Sequence, residues 1–238
     1  MIGKFDLYDF VANLIPGLTF LWCVQMLAGL LGWQLPLSLT GGLAETSVLI
    51  AIGYVSGLLL QGFSQNVVQR ILLQMWGGFP SERWLLPDDT HFSTGYKHRL
   101  LELIKERFKI PTEPEIPQGC QENCELQLRL MKNRELFYLC YHYVSETSHR
   151  PMIFNAHYGL FRLLLGMFSL LSLASLSGLV WALVVQHSQV VSFSIWTLLF
   201  VIAAWIAYVR CKKRSEDFAQ SVYDSFIAGE RLQEGGKF

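Results

Sequence analysis

Cys120, Cys124, Cys140 and His142 are the residues of this 238-residue chain whose types could do chemistry together, since thiolates and an imidazole make a tetrahedral zinc set. Their spacing argues against it. Cys140 and His142 are two apart, and on a helix such side chains diverge by about 200 degrees, so both could reach one ion only across a break in the helix. No metal and no cofactor is expected, and the thiols read as ordinary buried or half-exposed cysteines.

A second pair with chemical potential is Arg150 and His157. In spacing alone, Arg150-x6-His157 resembles the Arg-x4-6-His motif of HEPN ribonucleases, where the histidine acts in acid-base cleavage of RNA and the arginine supports the phosphate. Pro151 follows the arginine directly, and the polar residue of that motif is missing. The resemblance implies a membrane-tethered ribonuclease as one alternative; the residues by themselves read as a polar junction. His91, His98, His142 and His149 are scattered without a nucleophile partner. The chain has no GxxxxGK[ST] loop, no GxGxxG and no HExxH. The first expectation is therefore a non-enzymatic protein, and its zero net charge points away from nucleic acid as a partner.

The elements that carry these residues are set by a membrane pattern. At 52% hydrophobic and 16% charged, the chain is more apolar than globular averages. Four apolar stretches, 10–32, 44–65, 163–186 and 190–209, are each about the ~20 residues that cross a bilayer. None contains Lys or Arg. All nineteen basic residues are Lys4, those from Arg70 to Arg162, and those from Arg210 to Lys237, which is the positive-inside pattern. Both termini and the middle of the chain are thereby expected in the cytoplasm. The absence of a small-residue cleavage site after the first apolar run predicts a retained anchor. Four of the five cysteines then fall in a reducing compartment, which argues against a disulfide framework.

Polar and small residues mark the spans. Asp6, Asp9, Asn13 and Pro16 recur at three- and four-residue spacing and predict a polar stripe entering the first span, with a kink or a short interfacial turn at Pro16-Gly17. The stripe suits a bending surface helix or, alternatively, the lining of an oligomer interface or a small-solute channel. Gly53 and Gly57 in the second span, and Ala174 and Gly178 in the third, let helices approach closely, within one bundle or between protomers. Arg162 before the third span, and Arg210, Lys212, Lys213 and Arg214 after the fourth, are placed to meet lipid head groups.

Between the spans, Trp76-Gly77-Gly78-Phe79-Pro80 should end a helix. Ser93–Phe108 and Gln121–Val144 have helical periodicity, separated by a linker with Pro111, Pro114 and Pro117; Arg134 interrupts the second apolar stripe. Asp88-Asp89 reads as a solvated turn. A last amphipathic helix carries Phe218, Val222, Tyr223, Phe226 and Ile227, with Gly229 as its stop.

The expected fold class is thus all-α: a polytopic membrane protein with four transmembrane helices in two hairpins and an inserted helical cytoplasmic domain. Its parts are 1–65, the N-terminal segment and first hairpin; 66–161, the cytoplasmic domain; 162–209, the second hairpin; and 210–238, a cytoplasmic amphipathic helix. Its plan looks like that of membrane components of bacterial signalling and defence systems, which places it in the inner membrane. The function expected from this plan is a homo-oligomer in which the cytoplasmic domain senses a ligand or a partner protein and changes the packing of the spans, with pore formation as one outcome.

Overall fold

The computed structural model describes residues 7–33, 42–117, 119–146, 148–185 and 187–235. Asp6 lies outside the described residues, and so does the side chain of Asp9. The described chain is all-helical: α1 (Leu7–Leu30), α2 (Leu43–Phe63), a π-helical turn (Ser64–Val68), α3 (Gln69–Trp76), α4 (Pro80–Arg83), α5 (Thr94–Phe108), α6 (Glu122–Ser145), α7 (Arg150–Val185), a 3-10 turn (His187–Gln189) and α8 (Val190–Gly235). Four of its helical stretches are long and apolar enough to cross a membrane: Ala12–Leu30, Glu45–Arg83, Arg150–Val185 and Val190–Gly229.

Two sequence expectations change. Gly229 does not stop the last helix, which continues to Gly235, because one glycine costs a helix interior only about 1 kcal/mol. At Pro16 the alternative of a short turn that ends a helix does not form, because Pro16 lies inside α1. At 46 residues α8 rises roughly 69 Å, over twice the ~30 Å of a hydrocarbon core, so its apolar first half and its charged second half answer to different surroundings.

The chain divides into two compact units. The first gathers the described residues up to Ile71 with Gly159–Cys211. Its core is drawn from Cys23 and Leu27 of α1, Leu60 of α2, Leu163, Met167 and Leu171 of α7, and Phe193 and Phe200 of α8. Spacings of four and seven put each set on one helix face. The opposite faces are equally apolar, with Leu59, Val184, Val191 and Trp205 exposed, so these helices are hydrophobic all round, as lipid-facing helices are.

The second unit comprises Leu72–Tyr158 and the described residues from Lys212 onward. Ser93 caps α5 by accepting from the Tyr96 N–H at 3.3 Å, and Lys109 ends it in the left-handed conformation, φ 54°. Leu100, Leu103 and Ile104 of α5 meet Leu136, Phe137, Cys140 and Val144 of α6. The third wall is α8, through Ala219, Val222, Tyr223 and Phe226. The amphipathic C-terminal segment is therefore a wall of this core, its aromatic rings stacked edge-to-face against Phe137 and Tyr143.

Candidate functional site

Within the first unit the structure takes up most of the small and polar residues singled out above. Gly57 lies against the backbone of Asn13: a Cβ there would overlap the Asn13 carbonyl oxygen. Gly17 lies in the same way against the carbonyl of Gly53, so α1 and α2 touch backbone to backbone. Asn13 and Pro16 are buried. Gly178 faces the ring of Phe193 on α8, while Ala174 is exposed. Gly53, Gly57 and Gly178 are thus engaged within one chain, and Ala174 is not.

A polar layer lies where α2 passes into α3. The Gln69 N–H donates to the Ser64 carbonyl across the π turn. Arg162 on α7 donates from Nη1 to Gln69 Oε1, and Gly166, one turn on, packs against the Ser64 hydroxyl. The Arg162 side chain is half-buried here. A π turn inserts one extra residue and re-aims the helix that follows, which allows Gln69 to meet α7.

In the second unit several ionisable groups are paired. Positive φ at Gly77 and Gly78 turns the chain into the single turn α4, which begins at Pro80. Glu82 of that turn accepts from Arg134 Nε at 2.6 Å, and its backbone carbonyl accepts from Asn133 Nδ2 at 2.7 Å. The hydrogen bond to Glu82 raises the Arg134 pKa, so the guanidinium stays charged. Tyr223 donates to the Ser81 carbonyl at 2.6 Å. Lys97, buried on α5, donates to the carbonyls of Leu86 and Asp89 and closes the loop before the helix. Asp89 accepts from the His91 N–H at 2.8 Å, so Asp88-Asp89 does form a turn, and the His91 ring stacks on Trp84 at 3.6 Å. Tyr96 donates to Asp224 Oδ1 at 2.8 Å, and burial, followed by that contact, raises its phenol pKa well above the ordinary range.

The four candidate zinc ligands are not brought together as a set. Cys140 is fully buried in the core, where burial pushes its thiol pKa up and makes it a poor nucleophile. Cys120 and Cys124 form a disulfide, with Cα atoms 5.9 Å apart. This corrects the expectation of reduced thiols: a turn into α6 brings the pair within bridging distance whatever the compartment. Arg150 and His157 lie two turns apart on α7. The Arg150 guanidinium sits 5.8 Å from the Phe154 ring, and Arg214 comes to 5.7 Å of the same ring. Arg214 and Lys213 both pair with Asp217, whereas Arg210 and Lys212 are exposed. Among the described residues, no three His, Cys, Asp or Glu side chains are arranged to hold a metal ion.

Sequence reasoning missed Gly17, Glu82, Lys97 and Tyr223. A partial signal for Glu82 is the charged residue at 134 that interrupts an apolar stripe, although Arg134 itself reaches solvent and only Glu82 is buried. Gly17 beside Pro16 carries no local sign of a partner helix.

Fold and side chains together define an all-helical protein with four helices able to span a membrane. No protein family, curated protein or solved structure matches the chain.

Proposed function

We propose that this chain is a non-enzymatic integral membrane protein in which the unit of residues 72–158 and 212–235 is a cytoplasmic module that senses a small ligand or partner protein, and the four spans change packing in response. The observation that carries this reading is the difference between the two cores. One is wrapped in exposed Leu, Val and Trp, while the other is closed by Glu82–Arg134, Tyr96–Asp224 and the Lys97 contacts. Ionisable groups committed to packing leave little for acid-base chemistry. The arrangement of the spans as two hairpins is supported by Gly57 against Asn13, and by Ser175 against Thr197 together with Gly178 against Phe193. The placement of all nineteen basic residues supports termini and module on the cytoplasmic side of a bacterial inner membrane.

Self-association is the further part of this reading. Since Gly53, Gly57 and Gly178 are used within the protomer, the surface that joins protomers is the exposed face of α7 bearing Ala174 and Ser177. The channel alternative draws no support from Asn13 and Pro16, which face inward, and the ribonuclease alternative draws none from the Arg150–Phe154 contact.

Native mass spectrometry of the intact protein released from lipid nanodiscs tests the reading, because it reports subunit number and retained ligand together. A ring of four or more subunits that breaks up in Ala174→Leu supports it, and a monomer under all lipid conditions overturns it. Sidedness is tested separately with a membrane-impermeant maleimide on intact cells. Cysteine at Trp33 should label and cysteine at Lys212 should not.

A further inference from the structure

The Cys120–Cys124 bridge closes the entry to α6, and three features of that entry bear on what the bridge does. Gln121 stands at the N-cap but makes no side-chain cap, so the first turn lacks the hydrogen bond that Ser, Thr, Asp or Asn would supply. From Glu122 to Arg129 no residue is buried, and the first core residue of α6 is Leu130. Two turns of helix therefore extend beyond the core, held by backbone bonds and the Glu125–Arg129 ion pair. Finally, Cys124 is exposed and Cys120 half-buried, so neither residue is shut into the core. The helix N-terminus lies beside them and favours the thiolate form of a cysteine.

We propose that Cys120 and Cys124 are a reversible thiol-disulfide modification site by which the small-thiol pool of the cell orders or releases the first two turns of α6. The reaction balances with a small disulfide, RSSR, as oxidant. The Cys124 thiolate attacks one sulfur of RSSR and expels RS−, leaving a mixed disulfide; the Cys120 thiolate attacks Cys124 Sγ and expels the second RS−. Two protein thiols become one disulfide, two electrons pass to RSSR, and two RSH are formed on protonation. Two equivalents of RSH run it backward. In the oxidised form the residue before the N-cap is tied to the first turn of α6, next to Gly119, whose φ is 84°. In the reduced form nothing in the core holds residues 122–129. This inference rests on the cytoplasmic placement only for the supply of small thiol, since the exchange itself is a property of the purified chain.

The test uses the full-length protein in nanodiscs, equilibrated in buffers running from reduced to oxidised glutathione. Trapping with an alkylating reagent and intact mass read the bridge, and amide hydrogen exchange reads α6. The expected result is a bridge that forms and opens within the series, with exchange of residues 122–129 about tenfold or more slower when it is closed, and no change beyond Leu130. Cys120→Ser and Cys124→Ser should each show fast exchange at every ratio, and because neither residue is in the core both variants should fold. A bridge that persists in reduced glutathione, one that never forms in oxidised glutathione, or exchange that ignores its state would each overturn the proposal. The maleimide assay of sidedness is independent of this outcome, so failure of the membrane topology and failure of the switch are distinguishable.

Discussion

Arg134 and Glu82 lie 52 positions apart in sequence and meet at 2.6 Å, the carboxylate almost wholly buried and the guanidinium half exposed. The asymmetry decides what each contributes. The Arg134 side chain can recover water when it loses its partner, whereas Glu82 cannot. Arg134→Ala should therefore cost the second unit about 2 kcal/mol, from a buried carboxylate left short of a donor. Arg134→Lys should recover part of that. Thermal unfolding of the variants in detergent, followed by the near-ultraviolet signal of the unit's aromatic rings, checks the order wild type, Lys, Ala.

Glycines in α1 and α2 separate by what they touch. At Gly17 and Gly57 an added Cβ meets a backbone carbonyl on the facing helix; at Gly53 it meets the end of the Leu18 side chain, which can rotate away; at Gly29 and Gly62 it meets nothing. Gly17→Ala and Gly57→Ala should then each cost roughly 1–3 kcal/mol by forcing the helices apart. Gly53→Ala should cost less, and Gly29→Ala and Gly62→Ala should be neutral or slightly stabilising, since alanine is the better helix former. Denaturation midpoints in a mixed-detergent titration give the ranking, and equal effects at all five positions would show that the close approach is absent.

The elements were legible because their signals are local. Ser93 before an apolar period of 3.6, and Pro80 after two glycines, announce helix ends on the page, and α5 and α6 begin within one residue of where the pattern puts them. What local pattern could not show was assembly. The apolar face of residues 218–227 says only that it must be covered, and its partners, Leu103 and Phe137 among them, are more than eighty positions away. Lys97 reads as solvent-facing because lysine is normally so, yet it donates to the carbonyls of Leu86, which also accepts from the Asp89 N–H, and of Asp89, two acceptors that only the folded loop brings together. The disulfide failed for a different reason. Compartment says whether a bridge persists, not whether the chain brings two sulfurs together.

Ser175 and Thr197 test the packing of α7 on α8. The two hydroxyls lie 3.0 Å apart and share a hydrogen bond in which either can donate, and each also reaches a carbonyl of its own helix, Ser175 that of Ser172 at 3.2 Å and Thr197 that of Phe193 at 2.8 Å. Ser175 is fully buried among apolar groups, where no water competes. A double-mutant cycle of Ser175→Ala and Thr197→Val, measured by unfolding in bicelles, should give a coupling of about 0.6 kcal/mol, the usual size for such bonds in a membrane interior. A coupling near zero with both single variants destabilised would assign the cost to lost packing instead.

Alkaline pH should weaken the second unit, and the sign follows from two groups. Burial raises the pKa of the Cys140 thiol above its ordinary 9.0, and burial followed by the Asp224 contact raises that of the Tyr96 phenol above its ordinary 10.0. Each keeps its proton in the folded chain at pH values where the unfolded chain gives it up, so the unfolded state gains as pH rises. Well below pH 9 both groups are protonated in both states and contribute no slope; as pH rises through 9 Cys140 favours unfolding, and through 10 Tyr96 joins it, as does Tyr223, whose phenol pKa burial also raises. Urea midpoints of the full-length protein in nanodiscs, read by tryptophan and tyrosine signals of the second unit, should show no slope from these groups through neutrality and a fall from about pH 9. Cys140→Val removes the earlier component while keeping an apolar side chain of similar volume, so its fall should begin nearly one pH unit later. Onset at the same pH in both proteins would mean that Cys140 is not held protonated by its surroundings.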